Sequence, residues 1–146
     1  MASRIHETAR IGQLLFVASQ AAQALASERL EPLGLTPRAW GVLSTLSEAG
    51  PLSQIDLARA LTIDRTAMVY LLDELEDAGL VERVRNPRDR RSFLIHPTPA
   101  GSRLRQQAAR ALEGQAAKLL APLTRTEQRQ LVVLLGKVAA HRQRAL

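Results

Sequence analysis

The chain of 146 residues contains no cysteine, which excludes disulfides, thiolate metal ligands and thiol-based redox sensing. Nothing in it calls for an oxidising compartment. Aromatic residues make up only 3% of the chain, so a core must be assembled from Leu, Val, Ile and Ala, and the abundance of Ala and Leu favours helix over sheet. Lysine is nearly missing as well, with two against 18 arginines. A long apolar run is also lacking. The stretch IGQLLFVASQAAQALA comes nearest, but Gln13, Gln20 and Gln23 interrupt it, and Ile11, Leu14, Leu15, Ala18, Ala22 and Leu25 recur at helical spacing. That pattern describes one apolar face rather than a signal peptide or a membrane span, and it leads to the expectation of a cytoplasmic protein with no membrane partner. Catalytic groupings are missing too: there is no Ser/His/Asp set, glycine-rich nucleotide loop or convergent carboxylate pair, so an enzyme is not expected.

What is present is an apolar fraction of 46% in a length suited to a single domain spanning 1–146. The net charge is +6, and its placement says more than its sum. Residues 53–79 carry two basic and six acidic side chains, 80–99 carry five against two, and 100–146 carry nine against two. Arginine supplies nearly all of this positive charge, and its planar fork suits phosphates and guanine edges.

Taken in order, residues 5–30 read as a long amphipathic helix that stops before Pro32 and Gly34. Thr36 as N-cap with Pro37 at the first helical position starts a second helix, which continues through Trp40, Val42, Leu43 and Leu46 to Gly50. Pro51 and Leu52 make a short link that could add a minimal strand. Thr98 and Pro99 repeat the cap-plus-proline start, followed by a stripe of Leu104, Ala108, Ala111, Leu112, Ala116, Leu119 and Leu120, and Pro122 closes that helix. Thr124 and Glu127 form a capping box for the last helix, in which Leu131, Val132, Leu134, Leu135 and Val138 are apolar.

Residues 53–98 are the organising stretch. Ser53 caps a short helix with apolar Ile55, Leu57, Ala58 and Leu61. Thr62, Ile63 and Asp64 turn the chain, a second helix runs from Arg65 to Ala78, and Gly79 stops it. A β-rich hairpin follows, turning at Asn86 and Pro87. This is the pattern of a winged helix-turn-helix, and the expected fold is mainly α with a small β-wing, with residues 36–98 as the DNA-binding unit. On its second helix Met68, Val69, Leu72 and Leu75 read as the buried face. Thr66, Ala67, Tyr70 and Glu74 lie opposite and, with Arg65 in the first turn, form a surface for reading the major groove. Asp73, Glu74, Glu76 and Asp77 would be repelled by phosphate, so the helix should enter the groove N-terminus first. Ser53, Gln54 and Arg88 are candidate contacts to the DNA backbone. The wing also carries Arg83, Arg85, Arg90 and Arg91. A hairpin immediately after a recognition helix points its tip at the adjacent minor groove, where Arg90 and Arg91 are expected and Asp89 orients an arginine.

The helices 1–31 and 99–146 are more apolar than one subunit needs, and interleaving them about a two-fold axis in a homodimer is the economical solution.

The segments LTPRAWGVL, DLARALTIDRTAMVYLLDELEDAGLVERV and NPRDRRSFLIHPTPAG, with Asp89-x-Arg91 in the last, resemble the multiple-antibiotic-resistance regulator (MarR) family of bacterial transcription factors. The resemblance implies an obligate dimer on a pseudopalindromic operator, usually a repressor released by a small ligand or an oxidant. It places Arg91 in the minor groove and Thr66, Ala67 and Tyr70 at base-reading positions. Pro97 departs from the usual apolar residue there and is expected to end its strand early. A ligand cleft between the dimer helices and the winged domain is implied, for which His6, Arg10 and Trp40 are thinkable walls, Trp40 being more often core; no ligand residue is assigned. The absence of cysteine rules out peroxide sensing. No cofactor is expected. The alternatives are a metal-responsive regulator, disfavoured because His6, His96 and His141 are scattered, and a winged-helix adaptor that binds protein, disfavoured by the arginine tip.

Overall fold

The structure, a computed structural model, describes the backbone of Ala2–Ala145 and the side chains of residues 6–141. Helix α1 (Ala2–Leu30) leads through a 3-10 turn (Glu31–Leu33) to α2 (Pro37–Ala49). Strand β1 (Leu52–Ser53), α3 (Gln54–Leu61), α4 (Arg65–Asp77), β2 (Val81–Asn86) and β3 (Asp89–Pro97) follow, and α5 (Pro99–Leu119) and α6 (Arg125–Ala145) complete the chain. The fold is mainly α with a small β-wing.

Local side-chain hydrogen bonds start the helices where the sequence places them. Thr36 Oγ1 accepts from the Ala39 N–H at 3.1 Å, and Thr98 Oγ1 accepts from the Gly101 N–H at 3.0 Å. Thr124 and Glu127 form a reciprocal box: Glu127 Oε2 accepts from the Thr124 N–H at 2.7 Å, and Thr124 Oγ1 accepts from the Glu127 N–H at 3.3 Å. The backbone hydrogen bond from Thr124, with the Thr124 hydroxyl second, holds the Glu127 carboxyl below its ordinary pKa.

The core lies where α2, α3, α4 and the sheet meet. Leu30, Val42, Leu43, Leu46, Leu57, Met68, Leu72, Val81 and Ile95 are almost wholly buried there, and Ala108 of α5 seals one side. Each large side chain contributes roughly 1.5–3 kcal/mol by leaving water, before conformational entropy is counted. Gln115, the buried polar side chain of α5, packs its amide against Arg29 of α1; with the amide oxygen turned toward the guanidinium, it accepts from Nε at 2.7 Å and Nη2 at 3.1 Å.

The three strands are antiparallel in the order β1-β3-β2. The link after α2 does add a minimal strand, pairing Leu52 with Ile95 and Ser53 with Leu94. Pro97 does not end β3 early: it pairs with Val81, and the next residue, Thr98, still donates to the Leu80 carbonyl at 3.1 Å. Alternate residues of a strand face opposite neighbours. The donor that proline lacks therefore faces the β1 side, where β1 has already ended.

One apolar side chain lies elsewhere than its spacing predicts: Val69, expected in the buried face of α4, is 37% exposed, and Ile55 of α3 and Val84 of β2 are exposed as well. The core beneath the motif is small, and Met68, Leu72 and Leu75 fill the α4 side of it. A larger surplus lies on the terminal helices, where Ile11, Leu14, Phe16 and Val17 of α1 and Val132, Val133, Leu134 and Val138 of α6 are all more than half exposed.

Candidate DNA-binding interface

The turn between α3 and α4 sets the attitude of the outward helix. Thr62 takes a left-handed conformation (φ 54°) at the C-cap of α3, and the Ile63 N–H returns to the Ala58 carbonyl at 3.0 Å. Asp64 then caps α4, Oδ2 accepting from the Thr66 and Ala67 N–H groups at 2.9 and 3.2 Å. In the sequence Asp64 reads as turn alone; its position just ahead of the helix is the signal for a cap.

With Met68, Leu72 and Leu75 buried, α4 turns its other side to solvent: Arg65 and Thr66 are exposed, Ala67 is half-buried, and Tyr70 is 67% exposed. Val69 joins this strip. The aromatic ring and the valine methyls offer apolar contact to a thymine methyl, and the Tyr70 hydroxyl and Arg65 add hydrogen-bonding groups. On α3 the Ser53 hydroxyl is committed to a cap, accepting from the Asp56 N–H at 3.2 Å and donating to Asp56 Oδ2 at 2.6 Å. Gln54, half-buried in the first turn, and the free N–H groups of that turn are what this end of α3 presents.

The wing arginines divide into two sets. Arg83, at the root, donates to Asp73 and Glu76 of α4, and its own backbone N–H donates to Glu76 Oε1 at 3.1 Å. Burial alone would lower the Arg83 pKa, but the hydrogen bonds and charges of the two carboxylates outweigh it and raise it above the ordinary guanidinium value. Arg85 donates to the Arg90 carbonyl at 2.7 Å and lies 5.4 Å from the centre of the Phe93 ring. Arg88, Arg90 and Arg91 are exposed and form no ion pair among the described residues. They are the cations that the tip presents.

Short polar side chains shape that tip. Arg85 pairs with Phe93 and the next residue, Asn86, pairs with Asp89, so Arg90, Arg91 and Ser92 bulge out of the ladder. Asn86 Oδ1 accepts from the Arg88 N–H at 3.0 Å and Asp89 Oδ1 accepts from the Arg91 N–H at 3.0 Å, while the Asn86 amide and the Asp89 carbonyl both hold the Ser92 hydroxyl. Asp89 therefore acts on Arg91 through the main chain and leaves its guanidinium free.

The acidic end of α4 is less repulsive than the sequence suggests. Asp73 and Glu76 are engaged by Arg83, which leaves Glu74 and Asp77 without an ion-pair partner among the described residues. The sequence groups Arg83 with the DNA-facing arginines; its partners lie 10 and 7 residues earlier, on another element.

His6 and Arg10 are exposed on α1, and Trp40 packs against the core. Among the described residues no group of three or more His, Asp or Glu is placed to hold a metal ion, and no helix is long and apolar enough to cross a membrane.

Comparison with known proteins gives this arrangement a context. Residues 33–92 match the model of the MarR family. The chain is 31% identical over 134 residues to the multiple antibiotic resistance protein MarR of Salmonella typhimurium, covering 91% of this chain and 93% of that protein. Among solved structures it is similar to a cysteine-to-serine variant of MarR from Escherichia coli in complex with operator DNA, with TM-score 0.77 and 31% identity over 90% of this chain and 95% of that one. It is also similar to CouR from Rhodococcus jostii bound to p-coumaroyl-CoA, with TM-score 0.78 and 32% identity over 88% of this chain and 91% of that one. With nearly a third of its residues shared along almost the full length of such relatives, and the same fold, the chain belongs to the MarR family of transcriptional regulators.

Proposed function

We propose that the protein is a homodimeric, sequence-specific repressor that binds a pseudopalindromic operator and is released from it by a small molecule. Residues 36–98 read the DNA, and 1–31 with 99–146 form the dimer. Thr66, Ala67, Tyr70 and Arg65 face the major groove, Arg90 and Arg91 enter the minor groove, and Arg88 and Gln54 meet phosphate. Ser53 serves the same contact through its cap, by fixing the first turn of α3.

The observation that carries this reading is that the short link Ala78–Leu80 joins an exposed α4 face bearing Tyr70 to a wing whose tip holds three exposed arginines with no ion pair among the described residues. One winged unit then offers a candidate major-groove reader and a candidate minor-groove reader to the same duplex. The apolar faces of α1 and α6 support the dimer, since burying that surface returns about 25 cal/mol per Å². The operator complex of the Escherichia coli relative supports DNA as the partner, and the acyl-CoA complex of the Rhodococcus relative supports a small-molecule effector.

Sedimentation at micromolar concentration combined with footprinting tests the reading. The expected result is a dimer protecting two half-sites about 34–36 Å apart. A well-folded monomer, or protection of a single half-site, would remove the architecture. Release by an effector has its own test, because operator DNA must weaken effector binding by the same factor that the effector weakens operator binding.

A further inference from the structure

We infer that Arg83 is a positioning residue for DNA binding: by grasping Asp73 and Glu76 of α4 from the root of β2, it fixes the wing relative to the recognition helix so that both elements reach the DNA in one docking event. The inference rests on the DNA-binding reading above and deepens it.

Three bonds join the same two elements. Both carboxylates take the guanidinium, and Glu76 also takes the main-chain N–H of Arg83. Glu76 thus holds Arg83 by backbone and side chain at once, which restrains rotation of the strand as well as its distance from α4. An isolated exposed ion pair contributes little. This one is different, because the Arg83 side chain is only 22% exposed and its planar fork spans two acceptors on successive turns of α4.

The covalent joint between α4 and β2 is short, Ala78–Leu80, and it turns at Gly79 with φ +70°. Glycine by itself restrains that turn weakly, and the bonds that hold it, from the Gly79 and Leu80 N–H groups to the Glu76 and Leu75 carbonyls, end before the strand leaves α4. From Arg83 to the tip at Arg88 the strand reaches about 16 Å, so a rotation of roughly ten degrees at the root moves the tip arginines by about 3 Å, enough to break a hydrogen bond. The grasp adds, beyond those bonds, a restraint at the first residues of the strand that acts on where Arg90 and Arg91 arrive. It also offsets one of the two negative charges of Asp73 and Glu76, which would otherwise repel phosphate more strongly.

The test is a double-variant cycle on a duplex that the wild-type protein selects from a random-sequence library. Arg83→Met combined with Glu76→Gln removes the grasp and leaves net charge unchanged, so bulk attraction to phosphate is held constant. Affinity should fall about tenfold through weaker preorganisation, and the salt dependence should become shallower, by about one counterion for each wing arginine that no longer meets DNA. Adding Arg91→Ala to this variant should cost much less than Arg91→Ala costs the wild type, because the wing is already impaired. Arg83→Lys keeps the cation and the stem but not the fork; it should show the same coupling to Arg91→Ala, weaker in size, and it carries the cycle if the first variant does not fold. Affinity losses that multiply independently in both backgrounds would overturn the inference and leave Arg83 a structural ion pair, with the DNA-binding reading intact. A wild-type protein that selects no sequence and binds no duplex in a salt-dependent way would overturn that reading itself, and this inference with it.

Discussion

Gly101→Ala isolates the joint between the DNA-reading unit and α5. Gly101 is buried in the first turn of α5, and a Cβ built on it would lie 2.0 Å from the Leu80 carbonyl oxygen and 3.3 Å from Leu43 Cδ2. Real Cβ atoms essentially never come within 3.0 Å of a neighbour, so α5 must withdraw by about 1 Å, since backbone cannot rotate away as a side chain could. The hydrogen bonds at this joint tie the start of α5 to the link after α4. Thr98 Oγ1 accepts from the Gly101 N–H and donates to the Gly79 carbonyl at 2.6 Å, and the Thr98 N–H donates to the very carbonyl that the methyl would strike. Overpacking costs about 1–3 kcal/mol, one or two strained hydrogen bonds add about 1 kcal/mol each, and the better helix propensity of alanine returns up to about 1 kcal/mol. A net loss of about 2–3 kcal/mol is expected from urea unfolding of both proteins at equal concentration. Gly114→Ala is the comparison, since a Cβ there meets nothing within 4 Å and the change should be neutral or stabilising by up to about 1 kcal/mol. If Gly101→Ala unfolds within about 0.5 kcal/mol of wild type, inside the usual scatter of surface substitutions, α5 does not approach Leu80 as described, and the joint is looser than argued.

Three further outcomes are expected. Arg91→Ala should weaken binding to most DNA sequences and lower the salt slope by about one, whereas Tyr70→Ala should change which bases are preferred at a cost of about 1–3 kcal/mol; an unchanged salt slope for Arg91→Ala would make the wing a solvated surface. Thr62→Gly should raise the melting temperature, corresponding to about 1 kcal/mol, because a β-branched residue at φ 54° is strained and the substitution keeps the backbone bonds of the turn; a lower melting temperature would show that the threonine side chain stabilises the turn by more than its strain. For Glu127 the folded-state pKa lies below the ordinary 4.5, so its stabilising contribution is present above that pH and is lost as pH falls through the folded value. The stability gap between wild type and Glu127→Gln should therefore be full near neutrality and close on acidification, and a gap independent of pH would show that the charge is irrelevant to the cap.

What the sequence determined by itself was what is decided within a few residues. Thr36, Ser53, Thr98 and Thr124 each accept from the N–H three residues on, and Gly79 takes a positive φ where α4 stops. Such features follow from short-range sterics and hydrogen bonding, and with helical periodicity they were enough to lay out the helices and wing in order. The tertiary structure decided what depends on neighbours far along the chain. Periodicity assigned Val69 to the core, but the space beneath α4 is filled by Met68, Leu72 and Leu75, so Val69 is left at the edge of the outward face. Pro97 stays in its strand because β1 is too short to need its missing N–H, which no local rule contains. Arg83 reads in sequence as one of five similar wing cations; only folding brings the wing root against α4, where two carboxylates take its charge and leave Arg88, Arg90 and Arg91 to meet an anionic partner. Charge composition is written in the chain, but which charges remain free is settled by long-range pairing, because the Coulomb and hydrogen-bond energies that pair them depend on distances that exist only once the core has closed.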